Sequence, residues 1–314
     1  LDEARTVREI AKYAGFVARE FADEVELWAT ENEPFALVLP GYLPPTKDRV
    51  NPPGLSYRFS QVRQVMRSLI YGHARMYDAV KANDPTSKVG LVYSLAPVKP
   101  ADPDNELDVK AAQNTFYLYN TAFMDAVVKG LLDEDLNGRP DVPEPLPELV
   151  DRMDWIGINY YTRITVQGRN SAQLPELSAI SNFDPLTLVP WEDYPRGLYE
   201  MERHVQERYG LPSYVTETGT DGATDPERIS RWLVTALEWT KRAIADGADV
   251  RGFYYWSLMD NYEWNHGMAM RFGLFEVGDD GPKTRTARAA AQLYRGIIDE
   301  RDVDAELLRR YPPE

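Results

Sequence analysis

The stretch Trp28-Ala-Thr-Glu-Asn-Glu33-Pro34 ends an apolar run with a glutamate, and Tyr214-Val-Thr-Glu217-Thr-Gly219 repeats that arrangement further along the chain. Short apolar runs between polar segments are typical of strands buried in a parallel sheet. In a barrel of parallel strands the reacting groups come from the C-terminal strand ends, where the loops surround the substrate. We therefore expect Glu33 and Glu217 to lie at the reactive end of such a sheet.

Strand-like runs alternate with helical patterns along the sequence, which predicts an α/β fold with a parallel sheet and helices outside it. The predicted strands cover residues 24–30, 88–95, 153–160, 212–217 and 250–257. The predicted helices cover residues 6–22, 56–82, 108–132, 197–209, 225–247 and 285–298. The span 170–196 is rich in proline and poorly periodic, so we predict a long loop there. Because we find no repeat or linker, we predict a single domain over residues 1–314.

Composition argues against several other classes of protein. The 314 residues carry a formal net charge of −15, and nucleic-acid partners require clustered Lys and Arg instead. No apolar run approaches the roughly 18 to 20 residues of a membrane span, so no membrane partner is expected. The absence of Cys fits a cytoplasmic protein. The histidines His73, His204 and His266 lack metal-ligand spacing, and we predict neither a metal nor a cofactor.

Two carboxylates at strand ends fit the hydrolysis of a glycosidic bond. That reaction needs a protonated acid at the leaving oxygen and a second carboxylate near the anomeric carbon. Asn32 places an amide beside Glu33 that can bind a sugar hydroxyl, and Pro34 fixes the chain as it leaves the strand. The run Trp256-Ser-Leu-Met-Asp-Asn-Tyr-Glu263-Trp264 adds indole rings and a carboxylate, which together suit the recognition of a sugar.

Six segments of the chain resemble glycoside hydrolase family 1, particularly its archaeal-type β-glycosidases. They are TENEP (30–34), DWIGINYYTR (154–163), WEDYPRGL (191–198), YVTETG (214–219), GADVRGFYYWSLMDNYEW (247–264) and MRFGL (270–274). The resemblance implies a TIM (β/α)8 barrel and a retaining, double-displacement mechanism without a cofactor. It also implies an exo-acting β-glycosidase of the β-glucosidase or β-galactosidase type, with a β-glycoside or an oligosaccharide as its substrate.

The same resemblance implies the roles of individual residues. Glu33 would be the acid/base and Glu217 the nucleophile. Asn32 would bond the sugar 2-hydroxyl, and Tyr161 would hydrogen-bond the nucleophile and help to keep it ionised. The other implied substrate contacts are Asn159 in the floor, Trp191 on the leaving-group side, Trp256 beneath the reacting sugar, Glu263 on the 4- and 6-hydroxyls, Trp264 on the 3-hydroxyl and Phe272 as a wall.

The chain departs from the family pattern beside both glutamates and at its front. Glu31 stands where the family usually has an apolar residue, and Thr218 stands where it has Asn. A charged Glu31 that faced Glu33 would raise the pKa of that acid. Five predicted strands against the eight of a barrel imply that this sequence supplies about strands four to eight. We therefore expect an N-terminal segment or a second chain to supply the rest.

Two other functions stay open at this point. An inactive partial barrel would only bind a sugar or a partner protein. An endo-acting clan relative such as a cellulase would share the Asn-Glu-Pro tripeptide, although the pair Glu263-Trp264 favours a pocket for one terminal sugar. The preferred sugar and the oligomeric state, with a homo-oligomer among the alternatives, are open as well.

Overall fold

A computed structural model describes residues 3–42, 51–55, 58–168, 191–279 and 281–313. The chain divides into a first unit, Leu1–Gly157 with Ile164–Val189, and a second unit, Ile158–Arg163 with Pro190–Glu314. Most of the predicted loop at 170–196 lies outside the described residues, and the single domain over residues 1–314 stays a prediction. Among the described residues, no helix is both long enough and apolar enough to cross a membrane.

The first unit alternates helices and strands as the sequence pattern predicts. Its elements are α1 (Glu3–Phe21), β1 (Leu27–Asn32), α2 (Pro34–Tyr42), α3 (Phe59–Asn83), β2 (Lys88–Ser94), β3 (Val98–Pro100), α4 (Glu106–Phe116), a π-helical turn (Tyr117–Thr121), α5 (Ala122–Lys129), the first half of β4 (Trp155–Tyr160) and β5 (Ile164–Val166). The helix predicted at 108–132 is therefore divided by the π-helical turn. The short strands β3 and β5, which pair in parallel, lie outside the prediction.

Helix α3 shows how apolar spacing produces the helical layer of this unit. Buried side chains recur every three or four residues at Val62, Met66, Ile70, His73, Met76 and Val80, which is the spacing of one helix face. The helix ends where the Asp84 carboxylate accepts a hydrogen bond from the Thr86 backbone N–H at 3.1 Å. Helices α1 and α3 pack on β2, because Ala18, Val80 and Val89 belong to one buried cluster.

The strands of the first unit are parallel and follow the order β1, β2, β4. β1 pairs with β2 from Leu27 opposite Lys88, and the register shifts between Ala29 and Asn32. β2 is buried almost throughout, as expected for a strand covered on both faces. Only glycine fits at position 90 of β2, since a Cβ there would lie 2.4 Å from the Trp155 ring of β4.

The second unit continues the same alternation. It contains the end of β4, α6 (Arg196–Tyr209), β6 (Ser213–Thr218), α7 (Glu227–Ala245), β7 (Val250–Phe253), a 3-10 turn (Trp264–His266), β8 (Phe275–Val277), β9 (Arg285–Ala287), α8 (Ala289–Glu300) and α9 (Ala305–Arg310). Here the strand order is β4, β6, β7, and β6 pairs with β7 in parallel. β8 and β9 form an antiparallel hairpin outside that order.

Helix α7 confirms the predicted start and stop signals. The Asp225 carboxylate accepts a hydrogen bond from the Glu227 backbone N–H at 3.1 Å, as expected of a residue that precedes a helix. The helix closes before Gly247, which has a φ of +94° that favours glycine. The predicted apolar stripe of the helix is buried at Ile229, Trp232, Leu233, Ala236 and Ala243.

Three predicted boundaries are wrong by a few residues for identifiable reasons. β1 begins at Leu27 and not at residue 24, because the backbone N–H groups of Glu24 and Val25 still bond the carbonyl of Phe21 at the end of α1. β7 ends at Phe253 and not at 257. The last predicted helix begins at Ala289 and not at 285, because residues 285–287 pair with β8.

Candidate active site

Glu33 lies at the junction between β1 and α2, in the first unit. Its backbone N–H donates to the Val92 carbonyl of β2 at 2.9 Å, so Glu33 is held at the C-terminal end of the strand. Its φ of +49° lies in the left-handed region, which non-glycine residues adopt mainly at constrained and functional sites. Pro34 begins α2 at the first helical position, where its missing N–H costs nothing. Asn32, the last residue of β1, is exposed.

His73 anchors β1 to α3 and takes no part in the chemistry proposed for this site. Burial lowers the pKa of His73 to about 4, so the imidazole is neutral at neutral pH. Its Nε2–H donates to the Arg152 carbonyl at 2.7 Å. Nδ1 therefore accepts the Thr30 hydroxyl, also at 2.7 Å. Both ring nitrogens are satisfied, and the histidine is structural.

Glu31 lies against helix α3. Its Oε1 is 3.5 Å from the position that a Cβ on Gly72 would occupy. Its Oε2 is buried and has no hydrogen-bond partner among the described residues. Burial raises the pKa of Glu31 to about 8, so the carboxyl is neutral at neutral pH. The condition for the predicted effect on the pKa of Glu33, a charged Glu31, is therefore not met near neutral pH, because a neutral carboxyl exerts no charge repulsion.

Glu217 lies near the C-terminal end of β6, in the second unit. The Tyr161 hydroxyl donates to its Oε2 at 2.6 Å, which confirms the predicted contact between the two side chains. One residue earlier, the Thr216 hydroxyl donates to Asn159 Oδ1 at 2.7 Å. Within this unit, Tyr161 therefore contacts Glu217, and Asn159 contacts the residue that precedes Glu217.

Thr218 does not face the same way as Glu217. It is fully buried, and its hydroxyl accepts the indole N–H of Trp232 on α7 at 3.0 Å. Neighbouring residues of a strand point to opposite faces, so the side chain of Thr218 belongs to the interface between strand and helix. Thr218 therefore contacts α7, whereas Glu217 contacts Tyr161.

Two aromatic rings of the second unit, Trp191 and Phe272, pack against the ring of Tyr161. The Trp191 ring centroid lies 5.1 Å from that of Tyr161 and 5.8 Å from that of Phe272. Phe272 meets Tyr161 edge to face at 6.2 Å and is itself buried. The structure therefore places the predicted wall, Phe272, and the predicted platform, Trp191, beside Tyr161.

The loop after β7 carries the other predicted sugar contacts. The Trp256 indole N–H donates to Glu263 Oε1 at 3.1 Å, so these two predicted residues touch. Burial raises the pKa of Glu263, although the hydrogen bond from Trp256 opposes that effect. Trp264 begins the 3-10 turn and is 82% exposed. It is the predicted sugar contact that the structure leaves furthest from any packing.

Asp260 organises this loop, and the sequence interpretation missed it. Its side chain is fully buried and accepts bonds from Arg288 Nη2 at 2.9 Å and from the Gly273 N–H at 2.9 Å. Burial by itself would raise the pKa of Asp260, but those bonds outweigh it and hold the pKa below its ordinary value. The available signal in the sequence was an aspartate that directly follows two apolar residues. Its two arginine partners come later in the chain, at Arg271 and Arg288.

Asp193, which the sequence interpretation also missed, holds the segment next to Trp191. Its carboxylate accepts hydrogen bonds from Nη2 and Nε of Arg228, at 2.7 and 2.9 Å. It also accepts the Thr220 hydroxyl at 3.0 Å. Arg228 lies on α7 and Thr220 follows β6, so Asp193 fixes the backbone next to Trp191.

The chain resembles known proteins over almost its whole length. The family model described as "Glycosyl hydrolase family 1" matches residues 1–303. A β-galactosidase from Sulfolobus acidocaldarius is 36% identical over 322 residues, covering 99% of this chain and 62% of that protein. One from Pyrococcus woesei is 32% identical over 337 residues, covering 97% and 64%. The chain thus spans less than two thirds of the length of these curated relatives.

A solved β-glycosidase from Pyrococcus horikoshii has the same fold. Its TM-score with this chain is 0.82 at 33% identity, and the match covers 98% of this chain and 69% of that one. This likeness confirms the predicted TIM-barrel class. It also confirms the resemblance to archaeal β-glycosidases.

Proposed function

Because the chain belongs to glycosyl hydrolase family 1, we propose that it acts as a retaining, exo-acting β-glycosidase that releases terminal β-linked glucose or galactose. The observation that carries this proposal is the 2.6 Å hydrogen bond from the Tyr161 hydroxyl to Glu217 at the end of β6. A donor at this distance favours the ionised carboxylate, which is the form that attacks carbon. The names of the relatives, β-galactosidase and β-glucosidase, support the sugar class.

In the proposed mechanism Glu33 and Glu217 act in two steps. Glu33 gives its proton to the leaving oxygen while a Glu217 oxygen attacks the anomeric carbon, and the glycosidic bond breaks as a covalent glycosyl-enzyme forms. Glu33, now ionised, takes a proton from water, and the hydroxide displaces Glu217 from the sugar. Two inversions leave the β configuration unchanged.

The remaining predicted residues would bind the terminal sugar. Asn32 takes the 2-hydroxyl, whose hydrogen bond strengthens in the transition state, and Asn159 lines the floor beside Glu217. Trp256 stacks under the ring and orients the Glu263 carboxylate through its indole N–H. Trp264, with its exposed indole, donates to the 3-hydroxyl. Phe272 and Trp191 form the walls, with Trp191 on the leaving-group side.

We also propose that the main parallel strands β1, β2, β4, β6 and β7 correspond to strands four to eight of the family's barrel. Their parallel order within each unit supports this correspondence. That an N-terminal segment or a second chain supplies other strands stays a prediction. One solved β-glucosidase of this fold derives from a tetrameric structure, and we propose a homo-oligomer here too, which light scattering would test.

The choice of substrate distinguishes the proposed function from the alternative functions. Relatives of this chain include a 6-phospho-β-galactosidase, which is 30% identical. The pair Glu263-Trp264, however, is typical of the family members that act on unphosphorylated sugars. We expect turnover of aryl β-glucosides or β-galactosides and none of their 6-phosphates. Turnover of a polysaccharide without turnover of any aryl glycoside would favour the endo-acting alternative. Saturable sugar binding without any turnover would favour the inactive partial barrel.

Product stereochemistry and two matched variants test the mechanism. Proton NMR during hydrolysis should show the β-anomer of the free sugar first, and an α-anomer first would overturn retention. Glu217→Gln should lower kcat at least about a thousandfold, whereas Glu276→Gln, an exposed glutamate on β8, should leave it within about twofold. Glu33→Gln should lower kcat about 100- to 10,000-fold. The decrease should be smaller for substrates whose leaving group departs without a proton. Parental activity in Glu217→Gln would overturn the assignment of the nucleophile.

A further inference from the structure

The loop between α5 and β4 carries a sequence that the glycosidase proposal does not use. It reads Asp133-Glu-Asp-Leu-Asn-Gly138-Arg-Pro-Asp-Val-Pro-Glu144. The spacing matches the calcium loop D-x-[DN]-x-[DN]-G-x5-E at every specified position. In that loop, positions 1, 3, 5, 9 and 12 supply side-chain oxygens, position 7 supplies a backbone carbonyl, and a glycine at position 6 makes the sharp turn. Here those positions are Asp133, Asp135, Asn137, Asp141, Glu144, Arg139 and Gly138.

The structure independently brings three of those side chains to one point. One carboxylate oxygen from each of Asp133, Asp135 and Asp141 lies within 4.8 Å of the other two. Three neighbouring carboxylates alone do not identify a site on an acidic protein. The match of all five specified positions over twelve residues does so, because it includes Asn137, Gly138 and Glu144, which lie outside that group.

The charge balance of the loop also favours a cation. Five acidic side chains between residues 133 and 144 face a single arginine within the loop, Arg139. Arg67 on α3 forms an ion pair with Glu134, at the second position of the loop, which is not a ligand position.

We propose that residues 133–144 bind one Ca²⁺ ion. The donor set consists of hard oxygens, which suits Ca²⁺ and not Zn²⁺ or Cu²⁺. Asp133, Asp135, Asn137 and the Arg139 carbonyl form the first part of the shell. Asp141 follows directly or through water, and Glu144, exposed in this structure, closes on the ion. The prediction of no metal considered histidine and cysteine spacing and left oxygen ligands out.

The site is structural and independent of the proposed glycosidase. Asp133 is tied to the π-helical turn by the Tyr117 hydroxyl at 2.6 Å, and the Asp141 N–H donates to the Leu132 carbonyl at 2.8 Å. A bound ion therefore fastens the loop to the end of α5. Because Ca²⁺ binds the folded loop, it raises the melting temperature of the protein by mass action.

Isothermal titration with CaCl2 and thermal unfolding in CaCl2, MgCl2 or EDTA test the proposal on the full chain. We expect about one site per chain and a melting temperature raised by millimolar Ca²⁺ but not by equal Mg²⁺. Asp135→Ala removes a ligand, and Glu134→Ala removes the same charge at a position that does not bind. The first should weaken Ca²⁺ binding at least about tenfold and abolish the thermal shift, whereas the second should keep both.

Three outcomes would overturn the proposal. The parent could show no saturable binding and no thermal shift in Ca²⁺, or it could respond equally to Mg²⁺. The two variants could weaken binding equally, which would mean non-specific attraction to an acidic surface. Glu144→Ala keeps the test decisive if Asp135→Ala does not fold, since Glu144 is exposed.

Discussion

Replacing Glu31 by Gln isolates the effect of one buried carboxyl on stability. Glu31 lies on β1 two residues before Glu33, with Oε1 near Gly72 of α3 and Oε2 buried without a hydrogen-bond partner among the described residues. Glutamine has almost the same shape and is neutral at every pH. The substitution therefore removes ionisation and preserves the packing between β1 and α3.

The magnitude follows from the change in pKa on folding. Burial raises the pKa of Glu31 from 4.5 to about 8, so the folded state holds this proton more tightly than the unfolded chain does. The stability contributed by Glu31 is fully present below pH 4.5 and is lost as the pH rises through 8. Each pH unit in that interval costs about 1.4 kcal/mol. The loss approaches an order of 5 kcal/mol above pH 8.

Urea unfolding between pH 5 and pH 8.5 measures this loss. At pH 5 the parent and Glu31→Gln should have free energies of unfolding within about 1 kcal/mol of each other. At pH 8.5 the variant should be more stable by several kcal/mol. Glu26→Gln, an exposed glutamate just before β1, controls for the general effect of one less negative charge. A difference between Glu31→Gln and the parent that does not grow with pH would refute the reasoning.

Three further predictions concern hydrogen bonding and packing. Tyr161→Phe removes the 2.6 Å bond to Glu217, so kcat/KM for an aryl β-glycoside should fall about 10- to 100-fold, and an unchanged value would contradict the role of the hydroxyl. Asp260→Asn leaves two partly buried arginines short of the charge of a fully buried carboxylate, and urea unfolding should show a loss of about 3–5 kcal/mol. Gly90→Ala forces a Cβ to 2.4 Å from the Trp155 ring and should cost at least about 1–3 kcal/mol, whereas Gly281→Ala, where a Cβ meets nothing within 4 Å, should not.

Local patterns were sufficient to predict the main strands and the positions of both glutamates, because apolar runs and turn signals are local. The positions of α3 and α7 were predicted to within a few residues for the same reason. The role of Asp260 could not be predicted, since its partners Arg271 and Arg288 are 11 and 28 residues away in sequence. The neutral state of Glu31 could not be predicted either, because it depends on burial by α3.

Strand faces explain where the side chains of the two departures from the family pattern lie. On β6, simple alternation separates Glu217, which meets Tyr161, from Thr218, which meets Trp232 on α7. On β1, alternation alone would place Glu31 and Glu33 on one face. The register shift between Ala29 and Asn32 and the left-handed φ of Glu33 break that alternation.

The face on which a side chain lies also predicts whether its substitution alters catalysis or stability. A residue beside a catalytic glutamate in sequence affects it only if the two side chains lie on the same face or if both are charged. Thr218 is uncharged and lies on the face opposite Glu217. A neutral Glu31 exerts no electrostatic repulsion on Glu33. Changes at these two positions should therefore appear first in the free energy of unfolding, whereas changes at Tyr161, which contacts Glu217 across 56 residues of sequence, should appear first in kcat/KM.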